Sequence, residues 1–515
     1  MAIPSQERFQ MKYYQVEKNH HFVGRDYWWK RLKEIDSKNE ASIIVIYGRR
    51  RVGKTELIEQ FFRNRKILKF EGLQPDRKGK LSPQKEKKRQ INECLRRLGK
   101  YSEKEAEYKY LKIDEWSEFF DILLQYVANN DVILYFEELQ WLANYQDAFL
   151  SELKPFWDDD LRKNPELRIV ISGSAPSFIV GQFMSNSAFY NRSENLIHLK
   201  PFNLIEMGEY LHQNGPREVL LAALTTGGVC EYLKQVKDAP SIFTGLCKKS
   251  FEPYAFFSTE CDKVFVSSLS ENRHYRKIVE FLSKRKYADR NEIYKAVVPG
   301  KKSSDKVAPG GSFTALLDDL ESLGFICKYK PLTCKSDNSL LVRYCIDDEY
   351  LHFYFKFIKS KIKQINAEKF VQNPLSGMNN RSFSISMGFA FERWCRKNEI
   401  LLARMMNFGN VEYNAGAFFN RSTIVNIPGF QIDLMYIRKD HRIIVCEIKY
   451  YDSNVRSNVE KEITQKIELF REHNKKFNNY TFEKALITTE GVQSNRDFFD
   501  YVITYDDLFD KTNYF

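Results

Sequence analysis

The chain has 515 residues, 43% hydrophobic and 15% aromatic, which excludes a disordered polymer and leaves room for roughly two to four domains. No apolar run reaches membrane-spanning length, Met1 to Met11 is polar, and nine scattered cysteines form no C-x-x-C pair, so a cytoplasmic protein with reduced thiols and no membrane partner is expected. The net charge of +12 favours a polyanionic partner, although a merely basic surface satisfies it equally.

Phe22-Val23-Gly24-Arg25, followed by Tyr27, Leu32 and Ile35 at helical spacing, predicts a turn and helix closing over a nucleotide base; an ordinary helix start reads the same way. Residues 42 to 63 read as a buried strand, a loop and an amphipathic helix. Between strand and helix, Gly48, Arg49, Arg50, Arg51, Val52, Gly53, Lys54 and Thr55 fit G-x-x-x-x-G-K-[ST]. Backbone N–H groups of such a loop point at phosphates, the helix start adds its positive dipole end, Lys54 reaches the outer phosphates and the Thr55 hydroxyl ligates Mg²⁺. ATP is therefore the expected cofactor.

Arg77 to Gln90 holds seven basic residues and one acidic, either a solvated insertion or a DNA-phosphate contact. Val132 to Phe136 predicts a second buried strand, ending in Glu137-Glu138. Glu137 is expected in the Mg²⁺ shell and Glu138 as the general base that activates water. A third strand, Leu167 to Ser174, ends in Ser172-Gly173-Ser174. Those hydroxyls read as γ-phosphate sensors or as a plain strand exit.

These segments, with Arg192, Leu199-Lys200-Pro201-Phe202 and Thr226-Gly227-Gly228-Val229, occur in an order that resembles the archaeal-type ATPases of the STAND group of AAA-related switches. The resemblance covers roughly the first 250 residues. It implies a phosphate-sensing role for Arg192 and a helical lid opening at Gly-Gly-Val. That family usually has proline next; this chain has Cys230.

Further on, Tyr275, Ile278, Val279 and Leu282 mark one face of a helix, a short helix is expected near Glu292 to Val297, and a third runs from Ser312 to Leu323. Gly324 to Cys327 and Leu340 to Tyr344 read as a hairpin, making a winged helix-turn-helix. Its charge suits a duplex backbone, with Lys301, Lys302, Lys306, Lys328 and Lys330 the candidate contacts, yet Asp318, Asp319 and Glu321 oppose a major-groove role for the third helix. A protein-interaction or spacer module fits as well.

In the last third, Gly429 to Ile437 alternates as a strand, Lys439-Asp440-His441 turns, and Arg442 to Lys449 returns. Glu447 and Lys449 share a face, and Asp433 can reach them from the partner strand. Two carboxylates and the Ile448 carbonyl make a hard-oxygen site for Mg²⁺ or Mn²⁺, with Lys449 orienting or deprotonating water. Burying such charges without a ligand would be costly, which favours a functional site. The pattern resembles the PD-(D/E)XK nucleases, in which Glu392 would be the helical acid and Gln465 would follow on a second helix.

The expected fold is multidomain α/β: a P-loop NTPase domain with helical lid at 1–255, a winged helix at 256–350 and a restriction-endonuclease-like domain at 351–515. The expected function is an ATP-hydrolysing switch coupled to a metal-dependent deoxyribonuclease, with a homo-oligomer left open. The alternative is an ATP-dependent DNA- or protein-binding signalling switch with an inactive nuclease fold.

Overall fold

The computed structural model describes residues 11–74, 81–144, 148–184, 195–268, 273–298, 311–332, 342–420, 429–455, 458–493 and 496–514. It divides into two compact units, Met1–Pro201 and Phe202–Phe515.

The first unit is built on five parallel strands: β1 (Ser42–Tyr47), β2 (Ile67–Glu71), β3 (Ile133–Glu137), β4 (Arg168–Gly173) and β5 (Asn195–His198), in the order β2-β3-β4-β1-β5. The run Ser-Ile-Ile-Val-Ile-Tyr of β1 is apolar at successive positions because both faces of a parallel sheet are covered. Ile44 and Ile46 pack with α1 (Asp26–Asp36) and α2 (Lys54–Phe62) through Leu32, Ile35, Leu57 and Phe62. Ile43 and Val45 face the opposite core, with Ile91, Leu95, Phe119, Leu123 and Phe149. This three-layer arrangement, with the glycine loop between β1 and α2, is the P-loop NTPase fold.

The second unit opens with a helical array. Gly227 ends the helix Pro216–Thr226 in the left-handed region at φ +63°, and Gly228, at +73°, brings its backbone against Phe202, whose N–H donates to the Gly228 carbonyl at 2.9 Å. A Cβ on Gly228 would lie 2.3 Å from the Phe202 oxygen. Cys230 is the first residue of the helix Cys230–Val236, a position that proline also favours.

Next come α3 (Arg273–Ser283), α4 (Arg290–Val297) and α5 (Gly311–Ser322), with β6 (Ile326–Tyr329) antiparallel to β7 (Arg343–Ile346). The hairpin begins later than its sequence suggests. Gly324, at φ +70°, ends α5, and Phe325 drops into the core before the strand starts. Leu340, Leu341, Lys301, Lys302 and Lys306 lie outside the described residues. Ala288 pairs with Tyr344 on the far side of β7, exchanging hydrogen bonds of 2.9 and 2.7 Å, which fixes the chain just after Lys286.

The last sheet, in the order β12-β11-β10-β9-β8, comprises β8 (Tyr413–Asn420), β9 (Phe430–Arg438), β10 (Arg442–Lys449), β11 (Thr481–Thr488) and β12 (Tyr501–Ile503). Strands β8, β9 and β10 run antiparallel; β10, β11 and β12 are parallel. The core of α6 (Asn380–Lys397), with Phe391 and Cys395, includes Leu434, Tyr436, Ile444 and Cys446; the core of α7 (Asn458–His473), with Val459, Ile463 and Phe470, includes Met435, Ile443 and Val445.

One expectation needs correcting. Strand β9 does not alternate strictly: Gly416 pairs with Met435 but Phe418 with Ile432, so two residues, Asp433 and Leu434, stand against Ala417. This β-bulge turns the strand out of period 2 where the acidic residue sits.

Candidate functional site

Two constellations carry chemistry, one in each unit. In the first, the loop after β1 depends on glycine geometry. Gly48 has φ +150°, and a Cβ there would lie 2.2 Å from the Leu199 oxygen; Gly53, at +92°, is the N-cap of α2. Arg25 braces the loop from outside its sequence. Its guanidinium donates to the carbonyls of Val52 at 2.8 Å and Lys200 at 2.9 Å, tying the loop to the segment that leaves β5. The predicted lead-in turn thus has a mechanical role that its spacing did not reveal.

Lys54 is 8% exposed, and its ammonium donates to the carbonyls of Gly48 at 3.0 Å and Arg49 at 3.1 Å. Burial lowers its pKa, with Glu138 and Glu137 opposing. The Thr55 hydroxyl donates to Glu137, so the two groups expected around Mg²⁺ converge. Glu137 also pairs with Lys69 at 2.7 Å, and Lys69 pairs with Glu59 at 2.8 Å. Burial works against the Lys69 charge, yet Glu137 and Glu59 outweigh it and hold its pKa above the ordinary value. Glu138 sits in the left-handed region at φ +55°, just past β3, and accepts from the Ser174 hydroxyl at 2.8 Å and Gln140 at 2.5 Å. Ser174 therefore orients the candidate base, a contact neither reading of the serines anticipated. Arg192 lies outside the described residues.

This donor set fits a nucleotide with Mg²⁺. The glycine loop leaves backbone close to whatever it cradles, one buried ammonium faces inward, and a hydroxyl and a carboxylate share one position. The arrangement can hold phosphates and position a carboxylate for proton transfer from water.

In the second unit, Glu447 is nearly inaccessible, with 3% of its side chain exposed, and is flanked by two ammonium groups, Lys449 at 3.0 Å and Lys466 of α7 at 2.6 Å. Lys449 also pairs with Glu462 at 2.9 Å. Burial opposes the Lys449 charge, but Glu447 and Glu462 raise its pKa. The β9–β10 register ends at Leu434 and Cys446, so Asp433 follows at the bulge beside Glu447. Instead of sharing a partner with Glu447, Asp433 shares Lys286 with Glu392, at 3.2 and 2.7 Å, and accepts from Gln431 at 2.5 Å. Desolvation and the Asp433 charge raise the Glu392 pKa; desolvation pushes the Asp433 carboxyl the same way, but Lys286 and Lys466 reverse it and hold it low.

Asp433, Glu447, Glu392 and Lys449 are thus brought into one neighbourhood, with Lys286 and Lys466 added. These two lysines answer the charge-burial argument: the carboxylates have counterions without any metal. Among the described residues no group of three or more His, Cys, Asp and Glu side chains converges on one cation position. Asp433 and Glu392, bridged by one ammonium, offer the hard oxygen donors that a divalent cation takes. Gln465 lies on α7, and His441 is a turn residue at φ +62° with its ring against Tyr480. Among the described residues no helix is long and apolar enough to cross a membrane.

Residues 22–236 match a family described as an ATPase domain predominantly from Archaea. An uncharacterized protein of Methanocaldococcus jannaschii is 26% identical over 434 residues, spanning 84% of this chain and 88% of that protein. An uncharacterized ATP-binding protein of the same organism is 48% identical over 46 residues, 9% of this chain and 78% of its own length. Among solved structures, a Walker-type ATPase of Pyrococcus abyssi aligns with TM-score 0.45 and 17% identity over 67% of this chain and 99% of that one. The ORC2 protein of Aeropyrum pernix aligns with TM-score 0.42 and 13% identity, covering 70% and 97%. With its glycine loop, buried lysine and acidic strand end in place, the first part of the chain matches an ATPase domain of the archaeal type over residues 22–236.

Proposed function

We propose that the chain is an ATP-hydrolysing switch whose last third cuts DNA at a carboxylate–lysine site. In this reading Gly48 to Gly53 and Lys54 hold the phosphates, Thr55 and Glu137 hold Mg²⁺, and Glu138, oriented by Ser174 and Gln140, takes the proton from water. Arg192 is assigned phosphate sensing. Residues 1–255 form the ATPase domain with its lid, 256–350 a winged helix and 351–515 a PD-(D/E)XK-like domain.

The observation that carries the nuclease assignment is Glu447 and Lys449 side by side on β10, next to an Asp433 re-aimed by a β-bulge toward Glu392. When bound, Mg²⁺ or Mn²⁺ would polarise the phosphodiester and lower the pKa of water. Asp433 and Glu447 would supply its carboxylate oxygens, with Glu392 as the acid of the neighbouring helix, and Lys449 would orient the attacking water. Plasmid incubated with the protein and Mg²⁺ or Mn²⁺, with and without ATP, tests this. Cleavage that disappears in Lys449→Ala supports it; no cleavage by the parent sinks it.

A second reading is favoured by the lysines. With each of these carboxylates already paired to an ammonium, the last third serves as a scaffold, and the ATPase switch docks DNA or protein through the middle module. Divalent-cation titration separates the two: the active site binds Mn²⁺ and loses it in Asp433→Ala/Glu447→Ala, whereas the scaffold binds none.

A further inference from the structure

Beside the acidic site lies a cavity of about 500 Å³ lined by Lys284, Arg285, Lys286, Lys356, Arg393 and Arg396. Among the described residues no acidic side chain lines it. Four of these cations have carboxylate partners elsewhere: Lys284 with Glu280 at 3.3 Å, Arg393 with Glu349 at 2.6 Å, Lys286 with Glu392 and Asp433, and Arg396 near Glu392 at 3.9 Å. Arg285 and Lys356 have none among the described residues. Arg285 lies over the Phe281 ring at 4.5 Å, and Lys356 over Phe357 at 5.7 Å. Desolvation and the nearby Arg393 lower the Lys356 pKa, and burial and Arg393 take His352 down to about 3, so it adds no charge near neutral pH. Uncompensated positive charge in a concave site calls for an anion.

The walls narrow the choice of anion. Phe355 and Lys356 come from a π-helical turn, Tyr354–Ile358, an irregularity that widens a helix and recurs at functional sites. Phe389, 44% exposed, lays an apolar ring on the rim with the Lys286 ammonium 5.6 Å from its centre. Phe389, Glu392, Arg393 and Arg396 follow one another at i, i+3, i+4 and i+7 on α6, so one helix face runs from the cavity to the acidic site. Lys286 belongs to both. A polymer of phosphates carrying flat bases matches this sequence of features better than a free anion: cations for one phosphate, a ring for a base, and carboxylates one step along.

We propose that this cavity binds a backbone phosphate of a single nucleic-acid strand, with a base against Phe389 and the neighbouring phosphodiester at Asp433, Glu392 and Glu447. The proposal rests on the acidic-site reading above and adds the strand, its path and the residues that hold it. Arg285 and Lys356 are binding residues here, and their removal leaves Glu447 and Lys449 untouched.

The test is fluorescence anisotropy of a short labelled single-stranded oligonucleotide with the full chain in EDTA, so that cleavage plays no part. Arg285→Ala/Lys356→Ala is expected to weaken binding about tenfold and to reduce the salt dependence, log K against log salt, by roughly one unit. Arg285→Lys/Lys356→Arg is expected to restore most of it. The control, Lys248→Ala/Lys249→Ala, removes the same charge from the exposed side of the helix Ile242–Phe251 and should bind like the parent. Equal losses in both pairs, or none in the first with its melting temperature unchanged, overturn the proposal. So does competition by inorganic phosphate at the oligonucleotide's own phosphate concentration, which would make the cavity a free-anion site. Cleavage is scored separately. If the parent binds the strand through Arg285 and Lys356 but never cuts, the nuclease reading falls and the cavity stands; if it cuts while the double variant binds normally, the reverse holds.

Discussion

The phosphate loop and the β9–β10 hairpin both gather charge in a partly buried place, but by opposite means. The loop is held by backbone. Its glycines adopt conformations that side chains would obstruct, and its brace, Arg25, donates to two carbonyls. The hairpin site is held by side chains that arrive from three directions: Lys286 from after α3, Glu392 from α6 and Lys466 from α7. Backbone sites tolerate surface variation and fail abruptly at a glycine. Ion-pair sites exchange partners, and their function depends on which cation occupies the carboxylates.

The largest effect expected on this contrast is at the loop. Lys54→Ala and Glu138→Gln should each lower ATP turnover about a hundredfold or more, read as phosphate release, while leaving the melting temperature within a few degrees of the parent. Comparable loss in Ser174→Ala would show that orienting Glu138 matters as much as its charge. Next in size is Gly48→Ala. Its Cβ meets a carbonyl oxygen, not a flexible side chain, so the strand end must move, at a cost of about 1–3 kcal/mol. Calorimetry should show a lower melting temperature and isothermal titration a loss of nucleotide affinity; a parent-like variant would mean that the loop is not held by backbone.

At the hairpin the informative change is in the other direction. Lys286→Ala removes the ammonium that bridges Asp433 and Glu392, so a divalent cation no longer competes with it. Mn²⁺ affinity should rise about tenfold, the scale of one hydrogen bond to a charged group. Unchanged affinity would mean that the carboxylates do not take a cation at that place.

What could be read from sequence divides along the same line. Gly48 to Thr55 is eight contiguous residues whose spacing is itself the geometry, so strand, loop and helix were all legible. Their brace was not, because Arg25 acts on Val52 and Lys200 from remote positions. The Asp433 bulge left only a faint trace, the adjacent apolar pair Leu434-Met435, which an inner strand covered on both faces also produces. Lys286 and Lys466 were least legible. On a chain with this much basic surface, a lysine that will neutralise a buried carboxylate looks like any other until the fold brings the two together. Asp433 and Glu447 look undercompensated by Lys449 along the chain because their further counterions, Lys286 and Lys466, come from other elements.

The smallest effect expected is a difference in acid sensitivity between the two regions. Glu349 and Arg393 form a buried pair beside the cavity, at 2.6 Å. Desolvation would raise the Glu349 pKa, but Arg393 and Lys397 outweigh it and the net shift is downward from 4.5. A depressed carboxylate contributes stability in full above its unfolded value and loses it as pH falls toward the folded one. Between neutrality and the ordinary Glu range, urea midpoints of the parent should therefore stay flat as far as this pair is concerned, then fall below about pH 4.5. Glu349→Gln should start lower at neutral pH, because Arg393 loses its buried partner, and the two curves should converge in acid. The difference between them isolates this pair from every other carboxylate. Arg25 donates to the carbonyls of Val52 and Lys200, which do not titrate, so its brace on the loop is independent of the Glu349 pair. A nucleotide affinity that changed in Glu349→Gln at neutral pH would show that the loop, too, depends on this ion pair, and the distinction between the two regions would fail.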